Sequence, residues 1–332
     1  MVINMTFIGK IRNRIHTYYR QQIVREQYPM LTSLSRKEWQ DRGALGVVYM
    51  LHHITSKNPK GIPTNEDLKV SPAFLEYIIQ KYKKDDFQFL SLNDLGEVIN
   101  SDAIPQRPFI VFTIDDGYVD NYTQALPIFE KYKIPFAIFI ATDFINHKSI
   151  LWWDILEDLI IQNSTIQLSN KIYSTNSFQE KWDTFRIIRE KILGYDQNNL
   201  LIYLQDAFSH YTIDWYAPVK KQAMSWAQVK ELSDHPLCTI GGHTVSHPAL
   251  NTLNEIDFRR EIAEGVAILQ EKTGHDIFHF AYPYGSPSEI GEREYQLIKD
   301  FNFKTVFSSY GGCITKENRS NKTHLPRVYL HE

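Results

Sequence analysis

From about residue 45 onward, short apolar runs alternate with stretches whose apolar residues recur at helical spacing. Residues 47–51, 87–92, 109–114 and 136–141 are rich in aromatic and β-branched side chains and predict buried strands. Between them, 74–82 and 121–132 carry the 3.6-residue period of amphipathic helices, the second ending before Pro135. The alternation resumes at 238–244, with further strands at 277–282 and 304–309. A long helix is predicted over 255–272, with Thr252 and Glu255 as a capping box. Ile256, Ile262, Val266 and Leu269 are expected to line one face, and Gly274 to stop it. Strands alternating with helices make parallel βαβ units, hence an α/β sheet or barrel.

Over about 143–225 this rhythm breaks into helical patterns without strand partners. The stretch reads as a helical insertion within a domain covering 46–332, preceded by an N-terminal helical extension over 1–45. In that extension Phe7, Ile8, Ile11, Ile15, Tyr18 and Tyr19 recur at helical spacing among Lys10, Arg12, Arg14 and Arg20. Such a basic amphipathic helix either docks on its own domain or makes peripheral contact with an anionic membrane surface.

Composition narrows the function classes. The 332 residues are 43% hydrophobic and 23% charged, ordinary for a soluble globular chain. A net charge of −3 leaves no basic excess to neutralise phosphates, which argues against a nucleic-acid partner. Cys238 and Cys313 make no disulfide framework and read as small buried hydrophobes. No apolar run is long enough to span a bilayer, and the N-terminus has no uninterrupted apolar leader or small-residue cleavage site. Cytoplasmic residence is the default expectation.

Candidate chemistry sits at strand ends. The run ending at residue 114 stops on Asp115 and Asp116, with Gly117 supplying the turn. Adjacent carboxylates at the rim of a buried strand repel and lose hydration, so a cation or hydrogen-bond donors must offset the cost. The plain alternative is a solvated turn in which an aspartate caps the next helix. His243 and His247 follow the next strand, and one helical turn would place both imidazoles on the same side. Alone they could be two core or surface histidines. Joined to Asp116 they offer two ring nitrogens and a carboxylate, a common catalytic metal set, while Asp115 stays free to accept a proton from water. A third strand runs into Pro283, Tyr284 and Gly285, a turn able to present a backbone N–H to an oxyanion.

The motifs "TIDDG", "HTVSH" and "YPYG", in that order and each after a strand, resemble the polysaccharide deacetylases of the NodB-homology type. "VVYMLHHI", "SPAFLEYIIQKYKKDDFQFLSLNDL", "ILWWD", "REIAEGVAILQEKTG" and "LPRVYL" are similar to a subgroup carrying a helical insertion. The resemblance implies a distorted (β/α) barrel with fewer than eight regular strands and the site at their C-terminal ends. It implies a hydrolase that removes an N-acetyl group from an acetamido sugar of a poly- or oligosaccharide, using a divalent metal, zinc first. Position by position, Asp115 becomes the general base, Asp116, His243 and His247 the metal ligands, and the Tyr284 amide an oxyanion donor. Two variants stay open: a deacetylase or deformylase of a lipid-linked sugar, and a carbohydrate-binding relative without turnover.

The sequence departs from the family pattern in two places. Ala281 stands where the family carries an arginine that pairs with the base, and the late Leu-x-His motif is missing. His53, His324 and His331 are then candidates for the acid that protonates the leaving amine. Arg327 either restores the lost pairing with Asp115 from another strand or is a surface arginine in a solvated pair. Trp152 and Trp153 either stack on a sugar ring or anchor the insertion.

Overall fold

The computed structural model describes residues 38–39, 43–101 and 104–332. The basic helix expected within 1–45, with its docking or membrane role, lies outside them. Seven parallel strands form the frame: β1 (Gly46–Leu51), β2 (Phe109–Asp116), β3 (Phe136–Ile140), β4 (Cys238–Gly242), β5 (His279–Ala281), β6 (Thr305–Gly311) and β7 (Leu325–Tyr329). Around the ring the order is β1-β7-β6-β5-β4-β3-β2, and the pairing of Gly46–Leu51 with 109–114 closes it. This is the distorted (β/α) barrel that the resemblance implies. One register shift, between Phe307 and Gly311 where β6 meets β7, adds to the irregularity.

Strand periodicity decides which residues see the interior. On β2, Ile110, Phe112 and Ile114 point outward into the layer of helices, and Phe109 and Val111 point inward. Val48, Ala137, Phe139, Ala281, Phe307 and Leu325 join them to fill the barrel. Thr113 and Asp115 continue the inward parity toward the C-terminal mouth.

The elements differ from the sequence pattern in instructive ways. Within 87–92 only Gln88–Phe89 pairs, against the start of β2, because Ser91 and Asp94 form a capping box and open the helix Leu92–Asn100. Over 121–132 the first turn widens to a π-turn at Asn121–Ala125 before Leu126–Tyr132, since Pro127 has no N–H for the regular ladder. The helix Glu255–Thr273 is capped by Asn254, whose side chain accepts from the Asp257 amide at 2.9 Å. Thr252 instead closes the preceding 3₁₀ turn. Phe258, Ile262, Gly265 and Leu269 form the buried stripe. Ile256 falls about 150° off that stripe and is 79% exposed.

Between β3 and β4 lie the helices Trp152–Gln162, Phe178–Leu193 and Leu200–Ala207. They share an apolar core that includes Ile155, Leu156, Ile160, Phe185, Ile188 and Leu204. A two-stranded antiparallel ribbon, Thr165–Leu168 with Lys171–Ser174, also belongs here. The helical reading of the sequence missed it, because four-residue strands joined by a two-residue turn are too short to show alternation.

Candidate active site

Two adjacent aspartates at the end of β2 turn to different partners. Asp116 has φ +78°, in the left-handed region that a non-glycine residue enters only when its surroundings hold it there. That backbone turn separates the two carboxylates. Asp115 keeps the inward parity of the strand and meets Arg327 of β7, with Nη1–Oδ1 and Nη2–Oδ2 both 2.7 Å. Nη1 of Arg327 also donates to Thr113 Oγ1 at 3.1 Å, and Nε donates to the Ser308 carbonyl at 3.0 Å. The Phe139 and Phe307 rings lie 5.5 and 5.9 Å from the guanidinium carbon. Arg327 is fully buried, which is tolerable only for a charge paired this completely. Burial pushes the Asp115 carboxyl up, but the charge and hydrogen bonds of Arg327 outweigh it and hold it below the usual range.

Asp116 faces His243 and His247. Its Oδ1 is 3.4 Å from His243 Nε2 and 3.2 Å from His247 Nε2, and the three ligand atoms lie within 4.8 Å of one another. The two histidines do not share a helical turn, as the sequence spacing implied. His243 follows β4 directly, and a loop with Thr244 and His247 at φ +72° and +61° brings the second ring back beside the first. This loop is held on all sides. The Thr142 and Asp143 amides donate to the Thr244 and Val245 carbonyls, at 3.2 and 2.8 Å. Thr244 Oγ1 accepts from the His247 amide at 3.0 Å. Buried Glu261 accepts from the Val245 and Ser246 amides at 3.1 and 2.9 Å. A Cβ on Gly265 would meet the Thr244 carbonyl carbon at 2.9 Å, so glycine there lets the long helix seat against the loop.

The cluster suits a divalent cation. His243 Nδ1 is 2.7 Å from the Ala281 carbonyl, which can only accept, so this nitrogen carries the proton and Nε2 presents a lone pair. Asp116 Oδ1 is buried without a hydrogen-bond donor, although two ring nitrogens stand close to it. Acceptors converging with no proton between them are what a cation satisfies.

Tyr284 lies on the loop after β5 with φ +57°. Ser309 Oγ donates to its carbonyl at 2.6 Å and the Ser309 amide donates to Gly285 O at 2.9 Å, which fixes the loop beside the cluster. The Tyr284 ring packs 4.7 Å from His247, and its hydroxyl accepts from Trp152 Nε1 at 3.2 Å. The structure thus gathers all six residues named from the sequence around one mouth: Asp115, Asp116, His243, His247, Tyr284 and Arg327.

The histidine candidates for the acid lie elsewhere. His53 binds Asp120 at 2.8 Å, His324 stacks on Tyr295 at 3.8 Å, and His331 stacks on Tyr329 at 5.6 Å. Sequence reasoning missed His52, whose Nε2 is 4.0 Å from Asp115 Oδ2 and whose ring lines the cavity. Burial lowers its pKa, although the two aspartates pull it upward. Strand parity held the signal, since neighbours on a strand face opposite ways and only one of the pair 52–53 can look inward. The cavity, about 240 Å³, is also walled by Trp152, Trp153, Trp182, Arg186 and Arg189 of the insertion.

A closed parallel barrel with a carboxylate–histidine cluster at its C-terminal mouth defines a class in which the scaffold aims groups from several strand ends at one cavity. The model of the family "Polysaccharide deacetylase" matches residues 102–306, and the chain belongs to that family. Over 120 residues it is 26% identical to YxkH of Bacillus subtilis, a stretch that covers 36% of this chain and 40% of that curated relative. The fold is similar to the Streptococcus pyogenes deacetylase PplD solved in complex with acetate, at a TM-score of 0.58 and 17% identity, covering 86% of this chain and 92% of that one. It is also similar to IcaB from Ammonifex degensii, at a TM-score of 0.52 and 18% identity, covering 87% and 92%.

Proposed function

We propose that this polysaccharide deacetylase hydrolyses the N-acetyl group of an acetamido sugar within a poly- or oligosaccharide, with a divalent cation, zinc first, held by Asp116, His243 and His247. The observation that carries this reading is the buried Arg327–Asp115 pair beside a converging Asp–His–His set. When bound, the cation supplies Lewis acidity to the acyl carbonyl and to a water. Asp115, kept ionised by Arg327, is placed to take a proton from the water that attacks the carbonyl carbon. The Tyr284 amide serves the developing oxyanion, on a loop anchored through Ser309. The proton taken by Asp115 then passes by way of His52, whose Nε2 is 4.0 Å from Asp115 Oδ2, to the departing sugar amine, so the carbon–nitrogen bond breaks to leave acetate and an amino sugar.

A binding protein without turnover is the weaker reading. It rests on the arginine missing at Ala281 and on the missing late histidine; Arg327 provides a guanidinium on the base from another strand, and His52 places a ring beside that base. The test is acetate release by the zinc-loaded protein from N-acetylated glucosamine oligosaccharides. Asp115→Asn is expected to keep its metal and lose about 10²–10⁴ in rate. Near wild-type release by that variant would place the base elsewhere.

A further inference from the structure

The helix Phe178–Leu193 has two faces with different chemistry. Phe185, Ile188 and Ile192 enter the core of the insertion. Trp182, Arg186, Arg189 and Leu193, spaced at successive turns, line the catalytic cavity. A neutral sugar chain calls for no cations on such a wall, and the proposed reaction uses neither arginine. The Arg189 guanidinium lies 6.0 Å over the Tyr284 ring, which itself packs 4.7 Å from His247. Among the described residues no carboxylate stands within ion-pair distance of Arg189, so an aromatic face rather than an acid positions it. Arg186 lies 5.9 Å from the Trp182 ring and 3.3 Å from Asp183. The other acidic groups on this part of the wall are exposed Glu190 and buried Glu289, the latter accepting a hydrogen bond from the Ser286 hydroxyl.

We infer that Arg186 and Arg189 form a subsite for a phosphate ester carried by the sugar substrate. Two planar guanidinium forks one helical turn apart suit an oxyanion with several acceptor oxygens better than any neutral hydroxyl pattern. The inference rests on the deacetylase reading for the sugar itself, but it concerns which sugars the insertion admits and is tested by binding alone.

The experiment is isothermal titration of the zinc-loaded full chain with N-acetylglucosamine, its 1-phosphate and its 6-phosphate. One of the phosphates is expected to bind at least about tenfold more tightly than the neutral sugar, and the Arg186→Gln/Arg189→Gln variant to bring that ratio below about twofold. The variant Arg186→Lys/Arg189→Lys, which keeps the charge and loses the forks, is expected to fall between the two. No difference among the three sugars in the wild type overturns the inference. So does a preference that survives in the glutamine variant, since the phosphate would then sit on the cation. Acetate release is measured separately. Missing turnover with an arginine-dependent preference counts against the deacetylase reading alone, and turnover without the preference counts against the subsite alone.

Discussion

Arg327 and Asp115 meet inside the barrel through two parallel hydrogen bonds of 2.7 Å, one to each carboxylate oxygen. Removing the guanidinium in Arg327→Ala leaves a buried carboxylate uncompensated, which is expected to cost about 3–5 kcal/mol of stability. It also frees the Asp115 pKa, now depressed, to rise. A depressed carboxyl stabilises the fold above its unfolded pKa of about 3.9, and that stability is lost as pH falls through the folded value. The acidic limb of the pH–rate profile should therefore move upward in the variant while metal content holds. An unmoved limb would rule out the pairing as the device that keeps the base ionised.

Purified protein is expected to carry about one divalent ion per chain, since three protein ligands can hold a single ion. His243→Ala and His247→Ala each leave too few ligands and should empty the site. Elemental analysis checks this, and unchanged metal in either variant would exclude that histidine as a ligand.

His52→Gln should keep the metal, because the ring lies beside Asp115 rather than in the cluster, and should lose about 10²-fold or more in kcat. His324→Gln and His331→Gln, stacked on Tyr295 and Tyr329, should stay near wild-type rate. The reverse ranking of the three variants would move the proton donor to a late histidine.

The paired tryptophans of the insertion divide the roles that the sequence left open. Trp152 is buried in the core of the insertion and tied to the Tyr284 hydroxyl, so Trp152→Ala should destabilise by about 3–5 kcal/mol. Trp153 lines the cavity with its ring 5.6 Å from His247, and Trp153→Ala should raise KM with a smaller drop in Tm. A large Tm loss with unchanged KM for Trp153→Ala would make it an anchor as well.

The sequence by itself determined the class of fold and most of the candidate site. Alternating buried strands and amphipathic helices leave few solutions other than parallel βαβ units, and strand ends put Asp115, Asp116, His243 and Tyr284 where such folds place their sites. These signals are local: a period of two, a period of 3.6, and a carboxylate pair stopping an apolar run. Tertiary structure decided what depends on distance in space. Arg327 and Asp115 are far apart along the chain, and only barrel closure through β1 brings β7 near enough to β2 for a bidentate pair. Likewise His247 reaches His243 through a strained loop rather than a helix, and His52 rather than His53 faces inward. The insertion folds over the mouth, so Arg186 and Arg189 became visible as cavity residues only in three dimensions. Spacing along a chain encodes local conformation, whereas a site built from several strands exists only once the sheet has closed.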